Sequence, residues 1–488
     1  MQPVVLFIIM KKEIVLAILV ILSFKSFSQG LFENTLKFNG NSWITNIEKH
    51  QDFFYLSLVI QDQTGLYSRF FKMDQSGNFV DSVDILKYDS TNQEILNYYS
   101  FLDNNDFRLV GLAYQNQDVF LYHKKYDSNF RLIEDKKNLI DTIARNDVRN
   151  IFARIDAFGH IFCAITTMTF DESRPKQIFV KLNNSGDTIK TIHYSYPGFN
   201  CSWDFVEKDK YYYCTAYSAQ HANALNSIGQ IFVFNQALNL LNVIPISNNL
   251  FWDHNIMLYK NKILLSGRKP DNLRFEVRLT DTSFQPIFKT YTISRTEPYN
   301  YPANHNLSIA PDSTIFFGGT LNVDFVPEDD YIVNSQLVLA RLDSNLNPIW
   351  QKTYGGETSY YMSNILATDD GGCIMTAGRY RLHNDSIRRD VYILKVDKWG
   401  NTVSEITRPV PGNAINAYPN PAKDLVRFEM PPLHGEVTIE ISNLAGQMVQ
   451  NSTLINPNLN VAGLKPGVYV YRVLVNGRKV FTGKLVKE

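Results

Sequence analysis

Four aromatic residues are the best candidates for contact with a ligand. Trp203, Trp252, Tyr301 and Tyr361 recur along the chain, and each is expected just before the first strand of a structural repeat. Aromatic rings stack on sugar rings and contact peptides, so these positions predict binding of a glycan or a protein. The alternative is that the four rings pack as wedges between neighbouring structural elements.

Catalytic and metal-binding spacings are not found in the sequence. The nine His residues show no H-E-x-x-H pattern, and no G-x-S-x-G motif occurs. Asp74 with Gly77 and Asn78, and Asp369 with Asp370, lack the alternating carboxylates of a calcium loop and fit turn chemistry better. We therefore expect no metal, no cofactor and a binding protein. An extracellular hydrolase or lyase, with an active site assembled from several repeats, is the alternative.

The composition indicates a folded chain rich in strands. The 488 residues include 48 basic and 48 acidic side chains, and this balance argues against nucleic-acid binding through bulk charge. Aromatic residues make up 13% of the chain, which favours strands over helical bundles or coiled coils. Four Cys do not make a disulfide framework. We expect Cys163, Cys214 and Cys373 to be buried thiols, and a Cys201–Cys214 bridge is the alternative.

The chain contains an internal repeat of about fifty residues. Each copy opens with a small polar residue and an apolar one, followed by a polar turn and an apolar run. The seven openings are Asn46, Ser100, Asn150, Asp204, Asn255, Asn306 and Asn364. A second pattern alternates with the first and consists of a basic residue, an apolar residue and Asp or Asn at the end of an apolar run. Its clearest copies are Lys72-Met73-Asp74, Lys125-Tyr126-Asp127, Lys181-Leu182-Asn183, Arg341-Leu342-Asp343 and Lys395-Val396-Asp397.

The repeat predicts an all-β fold for residues 31–408, a seven-bladed β-propeller. One repeat has the size of a four-stranded blade, and a single blade cannot bury both of its faces. Leu31–Phe38 is expected to supply the outer strand of the last blade and so close the ring. The opening polar residues are interpreted as turn caps, with a ring of ligands as the alternative. A pair of β-sandwiches is the alternative fold.

The N-terminus has the order of a secretory signal peptide. Met10-Lys11-Lys12 is positive, Ile14–Phe24 is apolar, and Ser26-Phe27-Ser28 places small residues before Gln29. This order predicts a signal peptide over residues 1–28, cleaved between Ser28 and Gln29, with translation starting at Met10. Because Val4–Met10 is also apolar, a membrane anchor is the alternative. No later segment has about 18 apolar residues in a row, so no transmembrane span is expected in the mature chain.

The last residues form a separate small β domain. Arg408–Asn413 contains two prolines, so residues 409–415 are interpreted as a linker, and residues 416–488 alternate apolar and polar positions as in a β-sandwich. Asn416–Ala422 resembles the opening motif of type A sorting domains of the type IX secretion system. Further motifs follow in order at Ile441–Gln447, Leu464–Tyr469 and Gly483–Lys487. The residues that carry the resemblance are Tyr418, Pro419, Asn420, Pro421, Gly446, Leu464, Gly467, Tyr469, Lys484 and Lys487.

The sorting-domain resemblance implies an immunoglobulin-like sandwich and a route of export. The protein would cross the periplasm of a Gram-negative bacterium and be secreted or held at the outer cell surface. The implied partners are the type IX translocon and a sortase. Residues 350–356, 368–372 and 392–397 also resemble a repeat of secreted propeller-like proteins of the Bacteroidetes. Without the resemblance, residues 416–488 would be a small sandwich, with a carbohydrate-binding module as the alternative.

Overall fold

The computed structural model describes most of the chain as strands and turns. It covers residues 30–63, 65–87, 93–103, 106–115, 118–142, 146–169, 176–195, 199–219, 228–246, 251–269, 273–284, 287–294, 300–323, 334–383, 386–402, 416–429, 437–444, 446–454, 458–475 and 478–488. Across these ranges, no helix is long and apolar enough to cross a membrane. The chain divides into two compact units, Met1–Asn401 and Thr402–Glu488, which are described separately below.

The first unit consists of β-strands that follow one another in antiparallel groups of four. The first three groups are β2 (Asn41–His50), β3 (Phe53–Asp62), β4 (Gly65–Asp74), β5 (Phe79–Lys87); β6 (Gln93–Asp103), β7 (Asp106–Gln115), β8 (Asp118–Tyr126), β9 (Leu132–Thr142); and β10 (Asn146–Ile155), β11 (Ile161–Thr169), β12 (Lys176–Leu182), β13 (Thr188–Ser195). The fourth and fifth groups are β14 (Phe199–Lys208), β15 (Tyr211–Ala219), β16 (Ile228–Asn235), β17 (Leu240–Pro245); and β18 (Phe251–Tyr259), β19 (Lys262–Arg268), β20 (Arg274–Thr280), β21 (Lys289–Ser294). The sixth group is β22 (Tyr301–Ile309), β23 (Ile315–Leu321), β24 (Gln336–Leu342) and β25 (Pro348–Gly355). The last group is β26 (Ser359–Ala367), β27 (Cys373–His383) and β28 (Ser386–Val396), with β1 (Phe32–Leu36) from the start of the chain.

The first strands of the groups bring the sheets together around a common axis. The first five groups are separate four-stranded sheets, while the last two join into one eight-stranded sheet. That junction is a single parallel bridge between His305 and Asn364. Each first strand contacts the first strand of the next group, and β26 contacts β2. The first strands therefore follow one another in a closed cycle, and the unit is all-β and propeller-like.

Apolar side chains fill the space between consecutive groups. Between the third and fourth groups, for example, Phe162, Phe179, Phe205 and Tyr212 are all buried in one cluster. The rings of Phe162 and Phe205 lie 4.3 Å apart between centroids. Burial of one such side chain contributes roughly 1.5–3 kcal/mol, and each sheet needs its neighbour to obtain it. Packing between groups, more than any single sheet, therefore stabilises this unit.

The N-terminal strand completes the last group, as the sequence predicted for Leu31–Phe38. β1 pairs antiparallel with β28, with Phe32 opposite Lys395 and Leu36 opposite Val391. The Phe32 side chain is buried in a cluster that also contains Ile374. The pairing covers the outer edge of β28 and removes an exposed strand edge.

The recurring polar residues lie in strands, so the turn-cap interpretation is wrong. Asn46, Asp204 and Asn364 each follow a β-bulge in the first strand of their group. The Nδ2 of Asn255 donates to the carbonyl of Asn304, 2.6 Å away, and Asn255 Oδ1 accepts from the N–H of Asn306 at 2.8 Å. These bonds join the first strands of two neighbouring groups. The bulge interrupts the ladder within a sheet, and the buried amide links that sheet to the next one.

The second recurring pattern forms turns and, in several groups, ion pairs that are buried to different degrees. Asp74 Oδ1 accepts from the N–H groups of Ser76 and Asn78 at 2.9 and 2.8 Å, which confirms the prediction of turn chemistry. The basic residue before such a turn pairs with a carboxylate near the turn between the first and second strands. These pairs are Lys125–Asp106 at 2.9 Å, Lys181–Asp156 at 3.3 Å, Arg341–Asp312 at 2.6 Å and Lys395–Asp370 at 2.5 Å.

The described cysteines of the first unit are buried thiols. Cys163, Cys214 and Cys373 form no disulfide bond, so the alternative of a Cys201–Cys214 bridge is wrong. The register of β14 and β15 explains this, because Cys214 lies opposite Phe205 while Cys201 lies opposite Tyr217. Burial raises the pKa of the Cys163 and Cys373 thiols, which makes them poor nucleophiles.

The second unit consists of two sheets that share one core. Its strands are β29 (Asn416–Tyr418), β30 (Leu425–Glu429), β31 (Val437–Asn443), β32 (Met448–Thr453), β33 (Asn458–Asn460), β34 (Gly467–Val475) and β35 (Arg478–Lys487). The sheet orders are β29-β30-β33 and β32-β31-β34-β35. Phe428 from the first sheet meets Tyr471 from the second with their ring centroids 5.0 Å apart. Val426, Ile439 and other apolar side chains complete this core.

Candidate functional site

The four candidate aromatic residues belong to the first strands of their groups and do not precede them. Trp203 lies in β14, Trp252 in β18, Tyr301 in β22 and Tyr361 in β26. The side chains of Trp203 and Trp252 lie outside the described residues. The structure therefore places these two positions only by their backbones, both at bulges of strands that surround the axis.

Tyr301 packs against a buried arginine of the neighbouring sheet. The Cζ atom of Arg268 lies 4.1 Å from the centroid of the Tyr301 ring. Only 3% of Arg268 is exposed, so this cation–π contact is inside the protein. One face of Tyr301 is therefore covered by the chain itself, and this contact is of the kind that the wedge-packing alternative expects.

Tyr361 shares a sheet face with an arginine and one further aromatic residue, and Trp43 of the neighbouring sheet lies beside them. It lies opposite Gly378, while Tyr380, two residues along β27, lies opposite Arg389. Because residues two apart and cross-strand partners share a face, these side chains lie on one side of the sheet. The Arg389 Cζ lies 5.7 Å from the ring centroid of Tyr380 and 6.0 Å from that of Trp43. We call Trp43, Tyr361, Tyr380 and Arg389 the arginine face.

Gly378 provides the space that the Arg389 side chain occupies. A Cβ atom at position 378 would lie only 2.4 Å from the Nε of Arg389. The guanidinium therefore lies directly against the backbone of β27. Any larger residue at position 378 would displace it.

A second polar cluster joins side chains from several groups near the axis. The Nε of Arg154 lies 3.2 Å from Oδ1 of Asp204, whose other oxygen accepts from the N–H of Ile256 at 3.2 Å. The rings of Phe152 and His305 lie 5.9 Å apart. These residues come from the third, fourth, fifth and sixth groups. We call Phe152, Arg154, Asp204 and His305 the axial cluster.

The electrostatics of the axial cluster favour fixed contacts over proton transfer. Burial and the positive charge of Arg154 lower the pKa of His305 to about 3, so the imidazole is neutral at pH 7. Burial raises the pKa of Asp204, while Arg154 acts in the opposite direction. The cluster therefore offers one carboxylate, already paired, and one neutral imidazole. Over the part of the chain that the structure describes, no group of three or more His, Cys, Asp or Glu could hold a metal ion.

Sequence reasoning did not identify the axial cluster or the arginine face. Trp43 stands three residues before Asn46, the spacing that also separates Tyr361 from Asn364, so the repeat contained a signal for it. Arg389 belongs to a run that is dense in arginine, which was a second signal. Arg154 and His305 carry no local motif, because only the arrangement of the groups brings them together.

In the second unit, the opening motif of the sorting resemblance contacts the last strand. Asn420 Nδ2 donates to the carbonyl of Lys484 at 2.7 Å, and Asn420 Oδ1 accepts from the N–H of Val486 at 2.7 Å. The N–H of Ala422 donates to the Val486 carbonyl at 2.8 Å. The two ends of the domain sequence therefore form one hydrogen-bonded junction.

The other motif residues fall into structural and exposed sets. Tyr469 is buried and its hydroxyl donates to the carbonyl of Lys465 at 2.8 Å. Gly446 has a φ of 82° in the turn between β31 and β32, a conformation that favours glycine. Lys487 is buried and Leu464 is half-buried. The exposed motif residues are Tyr418, Pro419, Asn420, Pro421, Gly446, Gly467 and Lys484.

Two predictions of the sequence lie outside the described residues. The signal-peptide cleavage between Ser28 and Gln29 falls in residues 1–29, and the linker 409–415 falls in residues 403–415. Both stay predictions.

The chain was compared with protein families, curated proteins and solved structures. No curated protein matches it. The β-propeller domain of the Trilobed protease from Pyrococcus furiosus aligns with 9% identity and a TM-score of 0.42, covering 74% of this chain and 97% of that one. The polysaccharide lyase Uly1 aligns with 9% identity and a TM-score of 0.42, covering 77% of this chain and 93% of that one.

The family comparison concerns only the second unit. Residues 416–488 match the family model described as a secretion system C-terminal sorting domain. The match covers every motif residue from Tyr418 to Lys487 on which the resemblance was based. The chain therefore carries a secretion system C-terminal sorting domain, preceded by an all-β unit of four-stranded antiparallel groups.

Proposed function

We propose that the protein is a binding protein of the bacterial cell exterior, exported by the type IX secretion system. Residues 1–28 would direct it to the periplasm, and residues 416–488 would engage the translocon and the sortase, behind a linker at 409–415. The family match of residues 416–488 carries this proposal. Delivery would end in secretion or attachment at the outer surface of a bacterium of the Bacteroidetes type.

We further propose that residues 31–408 form a seven-bladed β-propeller and that the sorting domain is an immunoglobulin-like sandwich. The closed cycle of contacts between first strands and the pairing of β1 with β28 support the propeller. The two sheets on either side of Phe428 and Tyr471 support the sandwich.

Binding is favoured over catalysis by the chemistry of the axial cluster. An enzyme of the hydrolase or lyase type would need ionisable groups that are able to exchange protons. Asp204 is held by Arg154, and His305 has a pKa of about 3. The arginine face, by contrast, presents partly exposed aromatic rings and a partly exposed guanidinium group, which suit binding. We propose a glycan or protein as the ligand, with Tyr361 and the other predicted aromatic residues as candidate contacts.

Export can be tested by truncation and by fusion in a host that has the type IX machinery. Truncation after Arg408 should leave the first unit folded but retained in the periplasm. Residues 409–488 fused to an unrelated periplasmic protein should carry it outside. Cell fractionation with immunodetection measures both outcomes. Normal surface delivery of the truncated chain would contradict the proposal.

A point variant separates the sorting function from gross loss of the domain. Asn420→Ala removes both hydrogen bonds that join the opening motif to the last strand. Asn451→Ala, on the exposed side of β32, is the matched control. We expect retention in the periplasm for the first variant and normal export for the second. Equal export of both would show that the junction is not needed for sorting.

A further inference from the structure

Four arginines lie in the β27–β28 hairpin, with Arg389 on the arginine face and the other three on the opposite face of the sheet. Arg379 and Arg381 belong to β27, and Arg388 and Arg389 belong to β28. In the pairing of the two strands, Arg381 lies directly opposite Arg388. Like charges directly opposite each other destabilise a sheet. The facing of the two charges does not itself stabilise the fold, and for Arg388 we look for a reason in what it binds.

The arginines of the hairpin are only partly neutralised. Arg381 makes two hydrogen bonds to the buried carboxylate of Asp390, at 2.5 and 3.2 Å, and Arg379 lies 3.3 Å from Glu357. Four guanidinium groups minus two carboxylates leave a charge of +2 among the described side chains. Asp385, which stands between the two strands in the sequence, lies outside the described residues. Lys37 follows Leu36, which is paired with Val391 beside this end of the hairpin, and adds a further positive charge.

Arg389 is held in place although its charge is not paired. Its N–H donates to Asn41 Oδ1 at 2.9 Å, and its carbonyl accepts from the hydroxyl of Ser42 at 3.3 Å. Its side chain lies between the rings of Trp43 and Tyr380. The buried Nε has no hydrogen-bond partner among the described residues. With the described carboxylates, the guanidinium groups of Arg388 and Arg389 form no ion pair.

We propose that the end of the β27–β28 hairpin, together with the arginine face, binds the anionic groups of an acidic polysaccharide. A guanidinium matches the geometry of a carboxylate or a sulfate, and the held position of Arg389 lowers the entropic cost of binding. Rings of tyrosine and tryptophan beside it offer surfaces for the sugar. The charge is confined to one hairpin of a chain with no net charge, which is too short a track for the phosphates of a nucleic acid.

This inference rests on the proposed binding function and names its ligand class. It is tested by affinity electrophoresis of the purified full chain in gels that contain polygalacturonate, dextran sulfate or neutral dextran. The first two probes distinguish carboxylate from sulfate. We expect retardation by at least one polyanion, weakening with added salt, and none by neutral dextran.

The variant Arg388→Gln/Arg389→Gln should lose most of this retardation, with at least a tenfold weaker apparent affinity. The double variant Arg131→Gln/Lys262→Gln removes the same charge from exposed positions elsewhere and is the matched control. If the double variant misfolds, Arg388→Gln alone tests the proposal. Its side chain has no ion-pair partner among the described residues, so this change should not disturb the fold. Circular dichroism checks the fold of each.

Three results would overturn the proposal. They are no retardation of the native chain by either polyanion, equal loss in the hairpin and control variants, and tighter binding of a single-stranded DNA oligonucleotide than of both polyanions. If neutral dextran or another neutral glycan is bound instead, the binding function stands while the anionic ligand class is wrong. Export assays are independent of all these outcomes.

Discussion

Both ends of the β27–β28 hairpin carry basic residues, but only one end has the kind of ion pair that recurs in other sheets. At one end, the buried Lys395 places its Nζ 2.5 Å from Asp370. At the other end, Arg381 lies opposite Arg388. The first arrangement recurs as Arg341–Asp312 in the preceding group, whereas the described parts of the other hairpins show no facing pair of arginines. Charges that recur from group to group therefore stabilise the fold, while Arg388, which breaks the repeat, is available to contact a ligand.

The largest effect is expected at the paired end. Lys395→Met leaves the Asp370 carboxylate without its buried partner, so the free energy of unfolding should fall by about 3 kcal/mol. Urea unfolding followed by tryptophan fluorescence measures the change. Lys398→Met, at an exposed turn position nearby, is the control and should change it by less than about 0.5 kcal/mol. Equal effects of the two variants would show that the recurring ion pair stabilises the fold no more than an exposed charge does.

Acid should destabilise the second group of strands through the buried imidazole of His123 in β8. Burial, with a smaller effect of Arg108, lowers the pKa of His123 from 6.5 to about 4 in the folded chain. The unfolded chain therefore binds the proton first, and stability that is present above pH 6.5 is lost as the pH falls towards 4. At pH 4.5 the loss from this group should be about 2 kcal/mol.

The variant His123→Gln tests this source of acid sensitivity. Its unfolding free energy should fall less than that of the native chain between pH 7 and pH 4.5. His193→Gln, whose side chain is 41% exposed, is the control. If both variants keep the acid sensitivity of the native chain, His123 is not its source.

The turn beside Lys395 should give a moderate effect. Asp397 Oδ1 accepts from the N–H groups of Trp399 and Asn401, both at 2.8 Å. Asp397→Ala should cost about 1 kcal/mol in unfolding free energy, since two turn hydrogen bonds lose their acceptor. Asp397→Asn should be nearly neutral, because Asn183 fills the same position in another group. A large loss in the Asn variant would show that the charge, and not the acceptor, is needed.

The smallest effect is expected at Arg388, which has no carboxylate partner among the described residues. Arg388→Gln removes a charge that faces Arg381, so the melting temperature should stay the same or rise, with a gain below about 0.5 kcal/mol. Differential scanning calorimetry measures it. A loss above about 1 kcal/mol would show that Arg388 stabilises the fold, and the comparison of the two ends would fail.

Local patterns in the sequence predicted the groups of strands better than the contacts between them. Leu31–Phe38 was correctly assigned to the last group because an unpaired edge strand needs a partner. The Asp and Asn turns were predicted because one side chain decides such a turn. The role of the opening polar residues was not predicted. Asn255 acts on a neighbouring group through Asn304 and Asn306, and no pattern within one repeat indicates that contact.

The candidate site shows the same difference between local patterns, which were predicted, and contacts between distant strands, which were not. Tyr361 was selected from its position in the repeat, yet its surroundings depend on Gly378 and Arg389, which belong to other strands. The sorting motifs were predicted as a set because their order along the chain is distinctive. Their junction, in which Asn420 bonds to Lys484 and Val486, depends on how the two ends of the domain fold back.

The pairing of β1 with β28 determines when the first unit can finish folding during synthesis and export. Phe32 must find Lys395, so the last group stays incomplete until almost the whole first unit has emerged from the ribosome or a translocation channel. Contacts between such distant residues form slowly because a long loop has to close first. Until then, β1 has no partner strand and stays open to proteases and chaperones. The time needed for β28 to emerge and pair with β1 sets how long the nascent chain stays vulnerable.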